Sequence, residues 1–347
     1  MPATNDKPNG HPYDTLTPDV VLDAVDTAGY LSDGRLLALN SYENRVYQVG
    51  LEGAPPQSKG RPGLPRDGWL VAKFYRPRRW SDAAIREEHA FTQALSELEI
   101  PVVAPLADER GETLFSHAGF RFALYPRCGG RWPDLEDPDK LVWLGRFLGR
   151  IHALGAARSF AHRPTLDVAS FGDASVEYLR AAGVIPDDLQ TAYFSLAADV
   201  LGQVEAAFQR AGQVAQIRLH GDCHPGNILW TDDGPHFVDF DDARSGPAIQ
   251  DIWMLLSGER REMTLQLDEI LAGYIEFMDF DPRELHLIEP LRTLRMVHYS
   301  AWLARRWDDP SFPQNFPWFS EPRYWEEQIL ALREQAAAMN EPPLQWQ

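Results

Sequence analysis

Apolar residues in the first third of the chain fall into short runs of strand-like character. The predicted strands are 35–40, 45–50 and 69–75, followed by two more within 112–126. The stretch 81–98 predicts a helix, and an earlier helix is predicted where Thr17 suits the N-cap, Pro18 the first helical position and Gly29 the position past the end. The Pro- and Gly-rich stretch 51–68 predicts a mobile loop. This part of the chain therefore predicts a small sheet with one helix packed on it.

After about residue 131 the apolar residues recur at the three- and four-residue spacings that are typical of amphipathic helices. In 139–155 this spacing forms a stripe of Leu141, Leu144, Phe147, Leu148 and Ile151. Further helices are predicted at 174–182, 187–211, 249–257, 262–278, 284–307 and 322–338. A sheet-rich part before a larger helical part predicts an α+β fold of two lobes with a cleft between them. We place the lobes at 1–127 and 128–347, with residues 1–15 as a flexible leader.

Composition and charge exclude several classes of function. The chain of 347 residues has a formal net charge of −18 and a pI near 4.9. This argues against broad binding to nucleic acid or anionic membranes, although a few local cations can still hold a phosphate-bearing ligand. The two cysteines, Cys128 and Cys223, form no disulfide framework. With no apolar run of eighteen residues and no signal-like leader, we expect a soluble, cytoplasmic protein.

The densest group of polar residues lies at 219–230, which reads LHGDCHPGNILW, and HFVDFDD follows at 236–242. Three interpretations compete for this pattern: a polar turn without chemistry, a metallophosphatase site and a phosphoryl-transfer site. A metallophosphatase needs further ligand clusters upstream and downstream, and the sequence contains neither. Phosphoryl transfer needs a carboxylate to orient the attacking hydroxyl and oxygen ligands for Mg²⁺.

Three residues of this region supply those groups. Asp222 and Asn227 are five residues apart, so one tight loop can aim both side chains the same way. A strand at HFVDF would return beside NILW as a hairpin around TDDGP, which brings Asp239 next to Asn227. The pattern therefore favours Asp222 as the catalytic carboxylate, with Asn227 and Asp239 as metal ligands and Asp239 also counted as catalytic.

The other lobe has to supply a cation for the nucleotide phosphates. Lys73 lies inside the apolar strand LVAKFY, where a lysine without a function is hard to explain. A carboxylate on the neighbouring helix is its expected partner; Glu88 shares a face with Ile85 and Leu95, whereas the alternative is that Glu87 and Glu88 are both solvated. The turn at 40–45 would cover the phosphates through its amides and the Ser41 hydroxyl.

These motifs resemble the aminoglycoside phosphotransferase/choline kinase branch of the protein-kinase-like fold. The resemblance rests on LHGDCHPGNILW and FVDFDDARSGPAIQDIWMLL, and it extends through LNSYENRVYQ, VAKFYRPRRW, REEHAF and LGRFLGRIHALG to cover about residues 15 to 345. Several blocks are similar to bacterial stress-response serine/threonine protein kinases within that branch. DFDD stands where eukaryotic kinases have Asp-Phe-Gly, so activation-loop switching is not implied.

The resemblance implies roles for the candidate residues. Asp222 matches the proton-accepting aspartate, Asn227 and Asp239 the magnesium ligands, Ser41 the phosphate-loop serine and Lys73 the nucleotide lysine. It implies an Mg²⁺-dependent kinase that uses ATP to phosphorylate serine or threonine of proteins, autophosphorylates and acts in stress survival. We also expect a monomer. No nucleic acid or membrane partner is implied.

Two other functions stay open at this point. One is a kinase of small-molecule alcohols such as choline, homoserine or an aminoglycoside, and the other is an inactive nucleotide-sensing scaffold. Among supporting residues, His220 is expected to position the loop, and Asp251 to brace it by analogy with the fold. His152 is expected to be a satisfied core residue. Oxidation of Cys128 or Cys223 is a further hypothesis, weaker than an inert role for both.

Overall fold

The computed structural model describes residues 11–52 and 68–346, which form two compact units. Unit 1 lies within Met1–Asp82, Pro105–Arg127 and Arg306–Phe316, and unit 2 within Ala83–Ala104, Cys128–Arg305 and Pro317–Gln347. Both units are therefore built from separated segments, whereas the predicted lobes divide the chain once, at residue 127. The predicted mobile loop 51–68 lies, apart from its ends, outside the described residues, as do residues 1–10.

The helices agree closely with the predicted ones. Their bounds are α1 Pro18–Thr27, α2 Asp82–Glu97, α3 Pro138–Ala156, α4 Ala174–Ala182, α5 Asp187–Ala211, α6 Ile249–Trp253, α7 Arg260–Tyr274, α8 Ile288–Arg306, α9 Ser311–Asn315 and α10 Pro322–Ala338. Thr17 is the N-cap of α1, as predicted, and its side chain accepts a hydrogen bond from the Val20 amide at 3.4 Å. The predicted helix at 284–307 begins instead as a 3₁₀ turn, Pro282–Leu287. None of the helices in residues 11–52 and 68–346 has both the length and the apolar character needed to cross a bilayer.

The strands are β1 Ser32–Ala38, β2 Arg45–Leu51, β3 Trp69–Phe74, β4 Phe115–His117, β5 Phe120–Pro126, β6 Ile217–Leu219, β7 Ile228–Thr231, β8 Gly234–Phe237 and β9 Arg244–Gly246. The first five form an antiparallel sheet in unit 1 with the order β1-β2-β3-β5-β4. In unit 2, β6 pairs with β9, and β7 pairs with β8, both antiparallel. The sheet and the helical majority confirm the predicted α+β composition.

The two faces of β3 have different roles in unit 1. Leu70, Ala72 and Phe74 alternate along the strand and are buried in the hydrophobic core beneath the sheet. Because successive side chains of a strand point to opposite faces, Lys73 lies on the face away from this core. It is nevertheless buried, since only 6% of its surface is exposed. The β3 face opposite the hydrophobic core thus carries the buried ammonium group of Lys73.

The segment Arg306–Phe316 belongs to unit 1 although it is distant in sequence from the sheet. Its centre is Asp309, which is buried and accepts hydrogen bonds from Arg76 Nη2 at 2.6 Å, Arg45 Nη2 at 3.1 Å and the Ser311 hydroxyl at 2.8 Å. His11 Nε2 lies 2.6 Å from the same carboxylate. Asp309 therefore ties the segment to β2, to the chain after β3 and to the N-terminal turn.

Residues 11–15 are the part of the predicted flexible leader 1–15 that the structure describes. They form a hydrogen-bonded turn in which Tyr13 is buried. The Tyr13 hydroxyl donates to the Phe74 carbonyl at 3.2 Å. The buried Tyr13 ring at the core edge and the contact of His11 with Asp309 hold this turn. Neither contact has a sequence signal.

Helices α3 and α7 pack backbone to backbone in unit 2. A Cβ atom at Gly145 would collide with the Ile270 carbonyl oxygen, and one at Gly149 would collide with that of Tyr274. Small residues at the contact allow the two helices to approach this closely. The pattern LGRFLG in α3 therefore has a packing reason, and the contact fixes Tyr274 beside His152.

Candidate active site

The loop between β6 and β7 carries the candidate catalytic residues. Gly221 has a φ of +85°, and a Cβ atom there would collide with the Asp242 carbonyl oxygen. Only glycine accommodates both the left-handed backbone and the close approach. The chain then turns through a short 3₁₀ segment, Pro225–Asn227, so Asp222 and Asn227 lie in one tight loop. Asn227 Nδ2 donates to the Asp222 carbonyl oxygen at 2.9 Å and closes that loop.

Asp251, at the start of α6, braces the loop through its backbone. Its two carboxylate oxygens accept the amides of His220 and Gly221, each at 2.8 Å, and it also lies 3.1 Å from His152 Nε2. The predicted bracing role of Asp251 is confirmed, as is that of His152 as a satisfied core residue, whose Nδ1 lies 3.0 Å from the Tyr274 hydroxyl. Burial by itself raises the pKa of Asp251, but the hydrogen bond and charge of His152 hold it below its ordinary value.

His220 fixes the same loop from within. Its Nε2 lies 2.9 Å from the Val238 carbonyl, and its Nδ1 lies 3.3 Å from the Asp222 amide. A carbonyl only accepts and an amide only donates, so the proton belongs on Nε2. The predicted positioning role of His220 is therefore confirmed: it joins the loop to the strand end that precedes Asp239.

The Asp222 carboxylate is held by a residue that the sequence analysis missed. Arg295 of α8 places Nη1 2.5 Å from Asp222 Oδ1. The second carboxylate oxygen, Oδ2, lies 3.4 Å from Asn227 Nδ2 and 3.5 Å from His224 Nε2. The side chain is 23% exposed, so the carboxylate is oriented by protein groups and remains accessible to an acceptor. This is the arrangement expected of a group that orients a hydroxyl.

A hairpin brings Asp239 back beside Asn227, as predicted. Strands β7 and β8 pair in the register Ile228↔Phe237, and the Val238 amide donates to the Asn227 carbonyl at 3.0 Å. Asp239 follows immediately and adopts a left-handed backbone, with φ 60° and ψ 63°. Aspartate tolerates this conformation better than most residues, and such strain is typical of functional sites.

The oxygen atoms of Asn227 and Asp239 suit a hard divalent cation. The Asn227 amide is oriented through Nδ2, which leaves Oδ1 without a hydrogen-bond partner among the described residues. Asp239 is exposed and supplies a carboxylate next to it in the hairpin. No cluster of three or more His, Cys, Asp or Glu residues arranged to hold a metal exists in the described part of the chain. A Mg²⁺ site does not need such a cluster, because the ion is usually held by one or two protein oxygens together with water and phosphate.

Of the nucleotide-site residues predicted for the first lobe, Lys73 and Ser41 lie in unit 1 and Glu88 lies in unit 2. Lys73 pairs with Val46 of β2 and Ala123 of β5, in the middle of the sheet. Its ammonium lies 5.3 Å from the centre of the Tyr75 ring. Ser41 donates from Oγ to the Asn44 carbonyl at 3.0 Å, so this hydroxyl closes the turn between β1 and β2. The roles of Lys73 and Ser41 toward a nucleotide stay predictions.

Glu87 and Glu88 of α2 are both engaged within unit 2, and neither is a solvated surface glutamate. Glu88 is buried, and its Oε2 lies 2.6 Å from Arg163 Nη2. Glu87 accepts backbone amides of Ala161 and His162, at 2.5 and 2.8 Å. The inward placement of Glu88 agrees with the prediction, whereas its partner Arg163 has no sequence signal. The pairing of Glu88 with Lys73 stays a prediction.

The two cysteines differ in accessibility. Cys223 is fully buried beside Asp222, and this burial, with the charges of Asp251 and Asp222, raises the pKa of its thiol well above the usual value. A protonated, inaccessible thiol reacts poorly with oxidants. Cys128 is partly exposed and donates to the Gly129 carbonyl at 3.5 Å. The oxidation hypothesis is therefore weak for Cys223 and stays untested for Cys128.

Comparisons with known proteins show the family of this chain. Residues 36–288 match the phosphotransferase enzyme family. Serine/threonine protein kinase RdoA of Salmonella typhimurium (strain LT2) is 44% identical over 337 residues, which cover 97% of this chain and 98% of that protein. Stress response kinase A of Escherichia coli (strain K12) is 45% identical over 333 residues, 96% of each chain.

Solved structures with much lower identity show the same fold. Amicoumacin kinase hAmiN, solved with AMP-PNP and Ca²⁺, has a TM-score of 0.66 at 19% identity, with 91% of each chain covered. A microcompartment-associated aminopropanol kinase has a TM-score of 0.63 at 16% identity, with 92% of this chain and 96% of that chain covered. These likenesses confirm the predicted fold class, the protein-kinase-like fold of aminoglycoside phosphotransferases and choline kinases.

Proposed function

The chain belongs to the phosphotransferase enzyme family, and we propose that it is an ATP- and Mg²⁺-dependent serine/threonine protein kinase. As a family member it transfers a phosphoryl group to a hydroxyl acceptor. The observation that carries the finer proposal is the oriented, accessible Asp222 carboxylate on a loop that also presents the Asn227 oxygen. A relative at 44% identity that is named a serine/threonine protein kinase supports a protein as the acceptor.

Asp222 is the proposed group that receives the acceptor hydroxyl. Its Oδ1 is bonded to Arg295, so Oδ2 is the oxygen that accepts the hydroxyl proton and points the oxygen atom at the γ-phosphate. The loop amides bonded to Asp251 keep this carboxylate in place during attack. Positioning of this kind, together with electrostatic stabilisation, supplies most of the rate in phosphoryl transfer.

The phosphates need cations, and two sets of residues are proposed to supply them. Asn227 Oδ1 and the Asp239 carboxylate would hold Mg²⁺, which neutralises charge on the phosphate oxygens when bound. Lys73 is proposed to contact the nucleotide phosphates directly, and the turn closed by Ser41 is proposed to cover them. We also propose a role in bacterial stress survival, in line with the name of a relative, stress response kinase A. Autophosphorylation and a monomeric state are further parts of the proposal.

The test is transfer of label from γ-labelled ATP with and without Mg²⁺. We expect label on the protein itself and on a generic protein with exposed serine and threonine residues, and little soluble product from choline, homoserine or an aminoglycoside. Asp222→Asn should lower the rate at least about a thousandfold, the size of effect seen when a catalytic residue is lost. Asp232→Asn, an exposed aspartate on the adjoining hairpin, is the matched control and should keep full activity.

Opposite outcomes would point to other functions. Soluble labelled product with unlabelled protein would show a small-molecule alcohol kinase. Near-normal turnover by Asp222→Asn would remove the proposed role of this carboxylate. Nucleotide binding without transfer to any acceptor would show a sensing scaffold.

A further inference from the structure

Arg295 differs from the other arginines near the catalytic loop. Arg163 has a completely buried side chain that is bonded to Glu88 and to two backbone carbonyls. Arg244 is buried and is bonded to the backbone and side chain of Asp242. Arg295, in contrast, has a side chain that is 42% exposed. The guanidinium groups of Arg163 and Arg244 are buried in contacts within the protein, whereas that of Arg295 is accessible to a ligand.

The guanidinium of Arg295 has only part of its hydrogen-bonding capacity in use. Nη1 is bonded to Asp222 Oδ1, and across residues 11–52 and 68–346 its remaining N–H groups have no protein partner. A guanidinium carries five donors in a rigid, planar fork. Arg295 is exposed and is anchored beside the Asp222 carboxylate. Its remaining donors can therefore bind oxygen atoms of a molecule that contacts Asp222.

Arg295 is the arginine bonded to Asp222, so an acceptor hydroxyl at this carboxylate would lie close to its guanidinium. The pKa of His298, one turn further along α8, is lowered to about 3 by burial and by neighbouring arginines, so this histidine is neutral. Burial and the Arg295 charge also lower the pKa of His224, against the effect of Asp222. Asp242 is paired with Arg244. A cation next to the acceptor hydroxyl would therefore face the guanidinium directly.

We propose that Arg295 is a specificity-determining residue, which binds an oxygen of a peptide acceptor beside the reacting serine or threonine. A backbone carbonyl or an acidic side chain supplies such an oxygen, whereas a lysine side chain or the quaternary amine of an amino alcohol would be repelled. This inference rests on the proposed function, because it names the acceptor class of the same site. It separates this enzyme from kinases whose acceptor carries a positive charge close to the hydroxyl.

The experiment compares serine peptides that differ only beside the acceptor, with glutamate, alanine or lysine at the flanking positions. The wild type should show a kcat/KM for the glutamate peptide about tenfold or more above that for the lysine peptide. The reason is that Arg295 attracts the glutamate and repels the lysine. Arg295→Gln should bring the ratio to within about twofold, and Arg295→Lys should keep most of it. Arg292→Gln is the matched control, because Arg292 lies one turn earlier on α8 and pairs with Glu289.

Several results would overturn the inference. If Arg295→Gln lowers kcat/KM for all three peptides equally and leaves their ratio unchanged, Arg295 only orients Asp222. A wild type that prefers the lysine peptide, or that phosphorylates choline better than the glutamate peptide, contradicts the charge argument. A wild type that transfers phosphate to none of the peptides and to no protein refutes the proposed function itself. Thermal unfolding of each variant shows that altered ratios come from folded enzyme.

Discussion

Two buried aspartates, one in each unit, hold the segments that carry the candidate site residues, and they do so by different means. In unit 2, Asp251 accepts two backbone amides of the catalytic loop. In unit 1, Asp309 accepts side-chain donors from Arg45, at the end of the turn that contains Ser41, and from Arg76, which also donates to the Glu43 carbonyl of that turn. A carboxylate bonded to amides fixes the backbone directly, whereas one bonded to arginines fixes it through long side chains.

This difference predicts a rigid catalytic loop and a more adjustable turn. The Asp251 carboxylate is fully buried, and its partners are two backbone amides and the buried ring of His152. Arg76, one of the cations bonded to Asp309, has a second partner, since it also pairs with Glu43 at 3.0 Å. When the Asp309 carboxylate is removed, Glu43 can therefore still pair with part of its cations. The amides bonded to Asp251 have no such second carboxylate among the described residues.

Replacement of Asp251 should have the largest effect. Asp251→Ala leaves two buried amides and His152 without their partner, so we expect a loss of about 4–5 kcal/mol in the free energy of unfolding, the upper range for a broken buried pair. The kcat should fall at least about a hundredfold, because Asp222 loses its fixed position. Denaturant unfolding and phosphoryl-transfer rates measure both. Asp199→Ala, at an exposed position of α5, is the control and should change neither. A folded Asp251→Ala with normal kcat would show that the loop needs no brace.

Replacement of Asp309 should have a smaller effect of a different kind. Asp309→Ala is expected to lower the free energy of unfolding by about 3–4 kcal/mol, because Glu43 offsets part of the lost pairing. If the turn at 40–45 covers the phosphates, KM for ATP should rise more than kcat falls, the reverse of Asp251→Ala. An equal fall of kcat in both variants would remove the distinction between the two braces.

The pH dependence of stability should reveal a third buried carboxylate, which supports the helix carrying Asp251. Glu284 accepts the Ile249 amide at 2.8 Å, and burial raises the pKa of this glutamate to about 7. Since the folded state binds the proton more tightly, Glu284 contributes stability that is complete below pH 4.5 and is lost as the pH rises through 7. With a pKa shift of this size the contribution is at most about 3 kcal/mol. Glu284→Gln should flatten the change in unfolding free energy between pH 5 and pH 8, and an unchanged slope would refute the assignment.

The helix caps should give the smallest effects. Thr17 caps α1 in unit 1, and Asp137 caps α3 in unit 2 with a hydrogen bond of 3.1 Å to the Asp139 amide. Each replacement by alanine should lower the unfolding free energy by about 1 kcal/mol or less. Neither should change kcat, as measured by the same labelled-ATP assay. A large loss of activity in Thr17→Ala would show that α1 affects the site.

Much of unit 2's catalytic region was predictable from neighbouring residues. The spacing of Asp222 and Asn227, the hairpin that returns Asp239 and the glycine before Asp222 are all local features. Their geometry follows from turn formation and strand pairing over fewer than twenty residues. The bracing role of Asp251 was expected only by analogy with the fold.

The sequence by itself determined the order of helices and strands, the cap of α1, the inward placement of Glu88 and the convergence of the loop with the hairpin. Only the tertiary structure decided that Arg295 contacts Asp222, that Arg163 pairs with Glu88 and that Asp309 holds the turn region of unit 1. The contacts to Asp222 and Glu88 join residues 73 and 75 positions apart, and the one from Arg76 to Asp309 spans 233. No periodicity or local propensity connects such positions, because their meeting depends on how whole helices pack.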